Sequence, residues 1–162
     1  MFNRFVKDAR EIAAGAQEIA RGLASPTVEA EHLLLALAEH AGTPAQEVLA
    51  GAGLDHDEIC AALDGENERS LAAVGVSPAV FNLPPRASAA NEKPRWATSA
   101  KLALERSLKV AAARDDRRIG PGHILLGVLR APVGTVPRAL EVAGIDRADL
   151  ALRVEARLDS AA

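Results

Sequence analysis

Residues 31–37 read EHLLLAL, and 91 positions later residues 122–128 read GHILLGV. The two runs belong to a longer self-match, in which residues 4–63 align without a gap on residues 95–154. Identical pairs include Arg4/Arg95, Ala9/Ala100, Ala20/Ala111, His32/His123, Leu34/Leu125, Leu35/Leu126, Leu49/Leu140, Gly53/Gly144 and Asp55/Asp146. Phe5/Trp96, Arg10/Lys101, Val28/Ile119, Leu54/Ile145 and Ile59/Leu150 keep their character. Self-similarity at one fixed offset marks a duplicated supersecondary unit. Two copies of one unit must bury the same apolar face twice, which narrows the fold to two related halves sharing a core.

Each half reads as four helices. Phe5, Ala9, Ile12, Ala13, Ala16, Ile19, Ala20 and Leu23 recur at helical spacing, and Trp96, Ala100, Ala103, Leu104, Leu108 and Ala111 repeat that stripe. The His-led runs are apolar nearly all round, so they are central helices. In the second copy Gly120 and Pro121 provide an N-cap and a first-turn proline. AGTP (41–44) and APVG (131–134) are short loops leading to third helices that stop at Gly53 and Gly144, after which Asp55 and Asp146 cap the fourth. With alanine and leucine abundant and no tyrosine, the fold class is all-α: two tandem four-helix repeats with pseudo-twofold symmetry. The whole chain, 1–162, forms one domain, with repeat 1 over 1–64, a connector over 65–94 and repeat 2 over 95–162. Within the connector, Leu71, Gly75, Val76, Ser77 and Phe81 reproduce the spacing of Leu49, Gly53, Leu54, Asp55 and Ile59. That spacing predicts a short extra helix over 67–74, followed by an extended, proline-rich exposed segment.

Composition removes several function classes. Nineteen basic and 22 acidic side chains give a net charge of −3 with no block of like charges, so neither nucleic acid nor an anionic membrane is an expected partner. No apolar run approaches the roughly 18 residues that span a bilayer, and MFNRFVKDAREI lacks an apolar targeting core, which points to the cytoplasm. The single cysteine, Cys60, excludes an internal disulfide and reads as a buried, inert thiol. His32 and His123 are repeat mates, so they read as core histidines bridging helices by hydrogen bonds. With His40 and His56 they show no HxxxH or CxxC spacing, and no metal site, cofactor or catalytic residue is expected. A GxxxxGK[ST] phosphate loop is absent, so this chain holds no ATPase module.

The opening MFNRF, AQE at 16–18, EHLLLAL and IGPGHILLGVL at 119–129 resemble the N-terminal domain of Clp unfoldases of the ClpA and ClpC type, over everything except the connector. The resemblance implies either an excised domain or a free-standing ClpC-like N-domain, as some actinobacteria encode, and the long connector and the end RLDSAA favour the free-standing form. The resemblance implies a docking module that receives peptides, substrate proteins and adaptors, and in ClpC phosphorylated arginine or cyclic peptide antibiotics. It also implies two surfaces. A phosphoarginine-type pocket at the start of each second helix would use Glu31 in the first repeat, where Gly122 stands in the second, with helix-start N–H groups facing the phosphate. A peptide groove between the two first helices would use Phe2, Ala14, Gln17, Trp96, Lys101, Glu105 and Leu108. The expected function is a non-catalytic binding module that modulates or shields a Clp unfoldase; the alternative is an adaptor docking directly on the ATPase ring.

Overall fold

The lead into each helix pair decides how the two repeats meet. The computed structural model describes residues 2–76 and 92–161. Repeat 1 opens with a 3-10 turn, Phe2–Arg4, followed by α1 (Lys7–Gly22), β1 (Thr27–Val28), α2 (Ala30–Glu39), α3 (Pro44–Gly51) and α4 (His56–Ala73). Repeat 2 comprises β2 (Arg95–Trp96), α5 (Thr98–Ala113), α6 (Pro121–Leu129), α7 (Thr135–Val142) and α8 (Arg147–Ser160). β1 and β2 pair in parallel, with Thr27 opposite Arg95 and Val28 opposite Trp96. The repeat mates of those residues form the reciprocal bridge, Phe5 with Ile119. Thus the residues leading into each repeat's first helix pair with those leading into the other repeat's second helix. The N-terminus of α5 sits beside that of α2, and Val6 N–H donates to Ile119 O (3.0 Å) at the twin junction.

Local sequence signals account for the boundaries. Asp55 accepts from Glu58 N–H (2.9 Å) and Asp146 from Ala148 and Asp149 N–H (2.9 and 3.2 Å), capping α4 and α8. Thr43 caps α3 with Pro44 at the first position. Gly53 and Gly144 adopt φ of 75° and 72°, the left-handed conformation that closes a helix.

α1 packs on α2, α5 on α6, α4 on α7 and α3 on α8, while α2 and α6 meet at the centre. All nine residues of α6 are buried. Leu33, Leu34, Leu35 and Leu37 of α2 share one core with Ile124, Leu125 and Leu126 of α6. Burial of each such side chain contributes roughly 1.5–3 kcal/mol. Among the described residues, no helix is long and apolar enough to cross a membrane.

The connector departs from the sequence expectation. Residues 67–74 do not form a separate short helix, because α4 runs unbroken from His56 to Ala73 and stops at Gly75, whose φ is 75°. Helix therefore extends well past position 64. The reason is tertiary: a Cβ at Gly65 would stand 3.0 Å from Val142 Cγ1, so glycine lets α4 lie close on α7, and Glu66 is buried at that contact. The Ser77 cap and the proline-rich segment lie outside the described residues.

Small residues set the two equivalent helix crossings in opposite ways. Gly15 on α1 faces Ala36 on α2, with an added Cβ at an ordinary 3.6 Å. Gly127, the repeat mate of Ala36, leaves no such room: a Cβ there would come 2.2 Å from Ala103 O and 2.7 Å from Ser107 Oγ. Gly127→Ala is expected to destabilise the domain by about 1–3 kcal/mol in urea denaturation. Gly15→Ala should be neutral or stabilise by up to ~1 kcal/mol through helix propensity.

Candidate functional site

The crossed pairing brings charged side chains to the mouth of α2. Glu29 is its N-cap, and its carboxylate accepts from Thr27 Oγ1 (2.9 Å) and from Ser99 Oγ on α5. Ser99 Oγ also accepts from Ala30 N–H (3.0 Å), and His32 N–H donates to Glu29 O (3.1 Å). Glu31, at the second helical position, is different. Its carboxylate accepts from its own backbone N–H and takes no hydrogen bond or ion pair from another side chain among the described residues. Burial pushes its pKa above the ordinary carboxylate value; the backbone hydrogen bond partly offsets this, and the neighbouring Glu29 and Glu66 charges push it further up.

Glu31 lines a cavity of about 570 Å³ with Leu102 and Arg106 of α5 and, from the α6–α7 segment, Val133, Pro137 and Arg138. Arg106 is held by a 3.0 Å hydrogen bond from Nη1 to Gly127 O. Arg138 donates from Nε to the buried Glu66 (2.8 Å). Burial alone would raise the Glu66 pKa, but the hydrogen bonds from Ser70 and Arg138 and the guanidinium charge hold it below the usual carboxylate value. Arg138 also borders two neighbouring cavities, of about 570 and 270 Å³. Glu31, without a side-chain partner among the described residues, thus shares a cavity with Glu29 and two guanidinium groups.

The second repeat has lost the space as well as the carboxylate. A Cβ on Gly122 would stand 2.8 Å from Leu158 Cδ2, so α8 fills the equivalent position. The repeat mate of Leu158 is Asn67, which leaves the first site open. The expected role of helix-start N–H groups in facing an anion is not supported at α2, where Ala30, Glu31 and His32 N–H are each committed within the chain. Arg106 and Arg138 are the available cationic groups instead. Sequence reading missed both. For Arg138 a signal was present at the repeat offset, where it matches Glu47 and Arg157 matches Glu66 with opposite charge. In the structure these form twin ion pairs, Arg138 with Glu66 and Arg157 with Glu47.

The groove residues are not gathered into this cavity. Ala14, Lys101 and Glu105 are exposed, Gln17 is half-buried, and Trp96 and Leu108 pack partly against the core. Among the described residues Lys101 and Glu105 form no ion pair, and α1 and α5 make no substantial contact with each other. Phe2 begins the 3-10 turn, its side chain lying outside the described residues.

The core histidines cap their own helices rather than bridging helices. His32 Nδ1 accepts from Glu29 N–H (2.8 Å) and His123 Nδ1 from Gly120 N–H (3.0 Å). That places the proton of His123 on Nε2, which donates to Asp116 (2.9 Å). Cys60 is half-buried, with Sγ 3.5 Å from His56 Nε2, and burial together with Asp64, Asp57 and Glu39 pushes its pKa up, which disfavours a nucleophilic thiolate.

The Clp repeat (R) N-terminal domain matches residues 4–91 and 95–162. The chain belongs to this family. It is 28% identical over 145 residues to the negative regulator of genetic competence ClpC/MecB of Bacillus subtilis, covering 90% of this chain and 16% of that protein. It is 30% identical over 154 residues to the chloroplastic chaperone ClpC1 of Arabidopsis thaliana, covering 95% and 15%. The chain therefore spans less than a fifth of the length of these curated relatives. The N-terminal domain of ClpD from Arabidopsis thaliana superposes with a TM-score of 0.71 at 21% identity, covering 98% of this chain and 97% of that one. The Hsp104 N-terminal domain of Candida albicans gives 0.65 at 19% identity, with 94% and 89% covered. Both show the shared fold, and the eight-helix, two-repeat reading of the sequence holds.

The raised pKa of Glu31 carries a stability consequence in this Clp N-domain. A carboxyl whose folded pKa exceeds its ordinary value of 4.5 favours folding below that value and loses the contribution as pH rises through the folded pKa. Glu31→Gln should therefore raise the thermal midpoint at pH 7, and the difference should vanish near pH 4.

Proposed function

We propose that this Clp N-domain is a non-catalytic receptor module of the Clp chaperone–protease system, capturing peptides and substrate proteins in the cytoplasm and thereby modulating or shielding a Clp unfoldase. The observation that carries the reading is the Glu31 carboxylate, which has no side-chain partner among the described residues, in a cavity lined by Arg106 and Arg138. A carboxylate that opposes folding at neutral pH is kept most reasonably for what it binds. Its acceptor geometry suits a guanidinium, and the nearby arginines suit an anion, so a side chain carrying both charges, such as phosphorylated arginine, matches the charge distribution. Cyclic peptides would use the separate faces of α1 and α5 that carry Ala14, Gln17, Lys101 and Glu105.

Titration calorimetry with an arginine-phosphorylated peptide should give one site per chain. Glu31→Gln should weaken it by about 1.5–3 kcal/mol, the worth of a charge-assisted hydrogen bond. A stoichiometry of two, or an unchanged affinity in the Glu31 variant, would remove this assignment. Phe2→Ala should leave that peptide's binding intact while weakening a cyclic peptide that targets ClpC.

A further inference from the structure

We infer that Asp8, Glu11 and His40 form a binding site for one divalent transition-metal ion of the zinc class. The inference is independent of the peptide site. Asp8 and Glu11 are three residues apart at the start of α1, which places their carboxylates on one helix face. His40 is the C-cap residue of α2, fixed by its N–H donating to Ala36 O (3.1 Å), and the packing of α1 on α2 brings the ring over those carboxylates.

The spacing is the argument. His40 Nε2 lies 3.7 Å from Asp8 Oδ1 and 3.7 Å from Glu11 Oε2, and the three donor atoms all lie within 4.8 Å of one another. A separation of 3.7 Å is too long for a hydrogen bond. Donors around a tetrahedral zinc with bonds of ~2.0–2.1 Å stand roughly 3.3–3.5 Å apart, so modest side-chain rotation would seat one ion. Lys7 takes the other glutamate oxygen, Oε1, at 3.5 Å and leaves Oε2 to the cluster. One imidazole nitrogen and two carboxylate oxygens form a borderline donor set, which suits zinc better than magnesium, and three protein donors leave a position for water.

The repeat sharpens the case. The mates of Asp8, Glu11 and His40 are Ser99, Leu102 and Ala131, so the second repeat has no counterpart to any of the three donors. Spacing in the sequence did not reveal the cluster because its donors come from two helices. The nearby Glu39–His56–Cys60 group differs: His56 Nδ1 lies 2.5 Å from Glu39 Oε1, which leaves no gap for an ion between them.

Zinc chloride titrated into the metal-stripped full chain should bind with one-to-one stoichiometry in calorimetry. Asp8→Asn, Glu11→Gln and His40→Ala should each weaken binding at least about tenfold, while His56→Ala and Cys60→Ser leave it unchanged. Equal melting temperatures without zinc would establish that the surface variants remain folded. In the unaltered chain, the His40 ring resonances should shift at stoichiometric zinc, and magnesium should compete at least about tenfold less well. The site is overturned by absence of heat and ring shift at millimolar zinc. It is equally overturned by loss in His56→Ala instead of His40→Ala, or by equal response to magnesium.

Discussion

The crossed pairing of Thr27–Val28 with Arg95–Trp96, and of Phe5 with Ile119, decides where every later contact falls. A few backbone hydrogen bonds fix the start of each repeat's first helix against the start of the other's second. Once that is done, α2 and α6 have only each other and their flanking helices to bury their leucines against. The same pairing delivers Ser99 to the N-terminus of α2, where it accepts from Ala30 N–H and donates to Glu29. Pro121, the repeat mate of Ala30, has no N–H to satisfy, so the twin junction needs no such serine.

Duplication gave two equivalent places at the helix starts, and they have diverged through a few side chains. Leu158 occupies one, and Gly122 is the residue small enough to lie beneath it. At the other, Asn67 stands where Leu158 does in the twin, and Glu31 faces a cavity. The open site carries a carboxylate that burial and two neighbouring acids all disfavour in its charged form. The closed site contributes apolar packing to the core. One half of the molecule therefore adds apolar packing where the other keeps a carboxylate whose burial disfavours its charged form.

Helix order, caps and the glycine stops at Gly53 and Gly144 were legible because each depends on residues within one turn of the boundary. The His-led helices were legible because a run apolar on all sides has only one place to go. The continuous α4 was not, since its residues past position 64 pack across repeats, where Gly65 lies close to Val142 and Glu66 is buried. Glu31 was named through the family resemblance, whereas Arg106 and Arg138, which line the same cavity, were not named. Their place in that cavity depends on contacts between the repeats, which no local pattern encodes. The histidines were placed in the core correctly, while their capping role rests on Nδ1 geometry that sequence periodicity does not report.

The twin ion pairs at the α4–α7 and α3–α8 contacts have reversed polarity: repeat 1 supplies the acid in both, Glu66 and Glu47, and repeat 2 supplies the base in both, Arg138 and Arg157. In a pairing of two first repeats, Glu47 would oppose Glu66; in a pairing of two second repeats, Arg138 would oppose Arg157. Like charges opposed at a partly buried contact are disfavoured, most of all where Glu66 is already out of water. The polarity therefore works as a lock and key between dissimilar halves, favouring the pairing of a first repeat with a second repeat over the pairing of two like repeats.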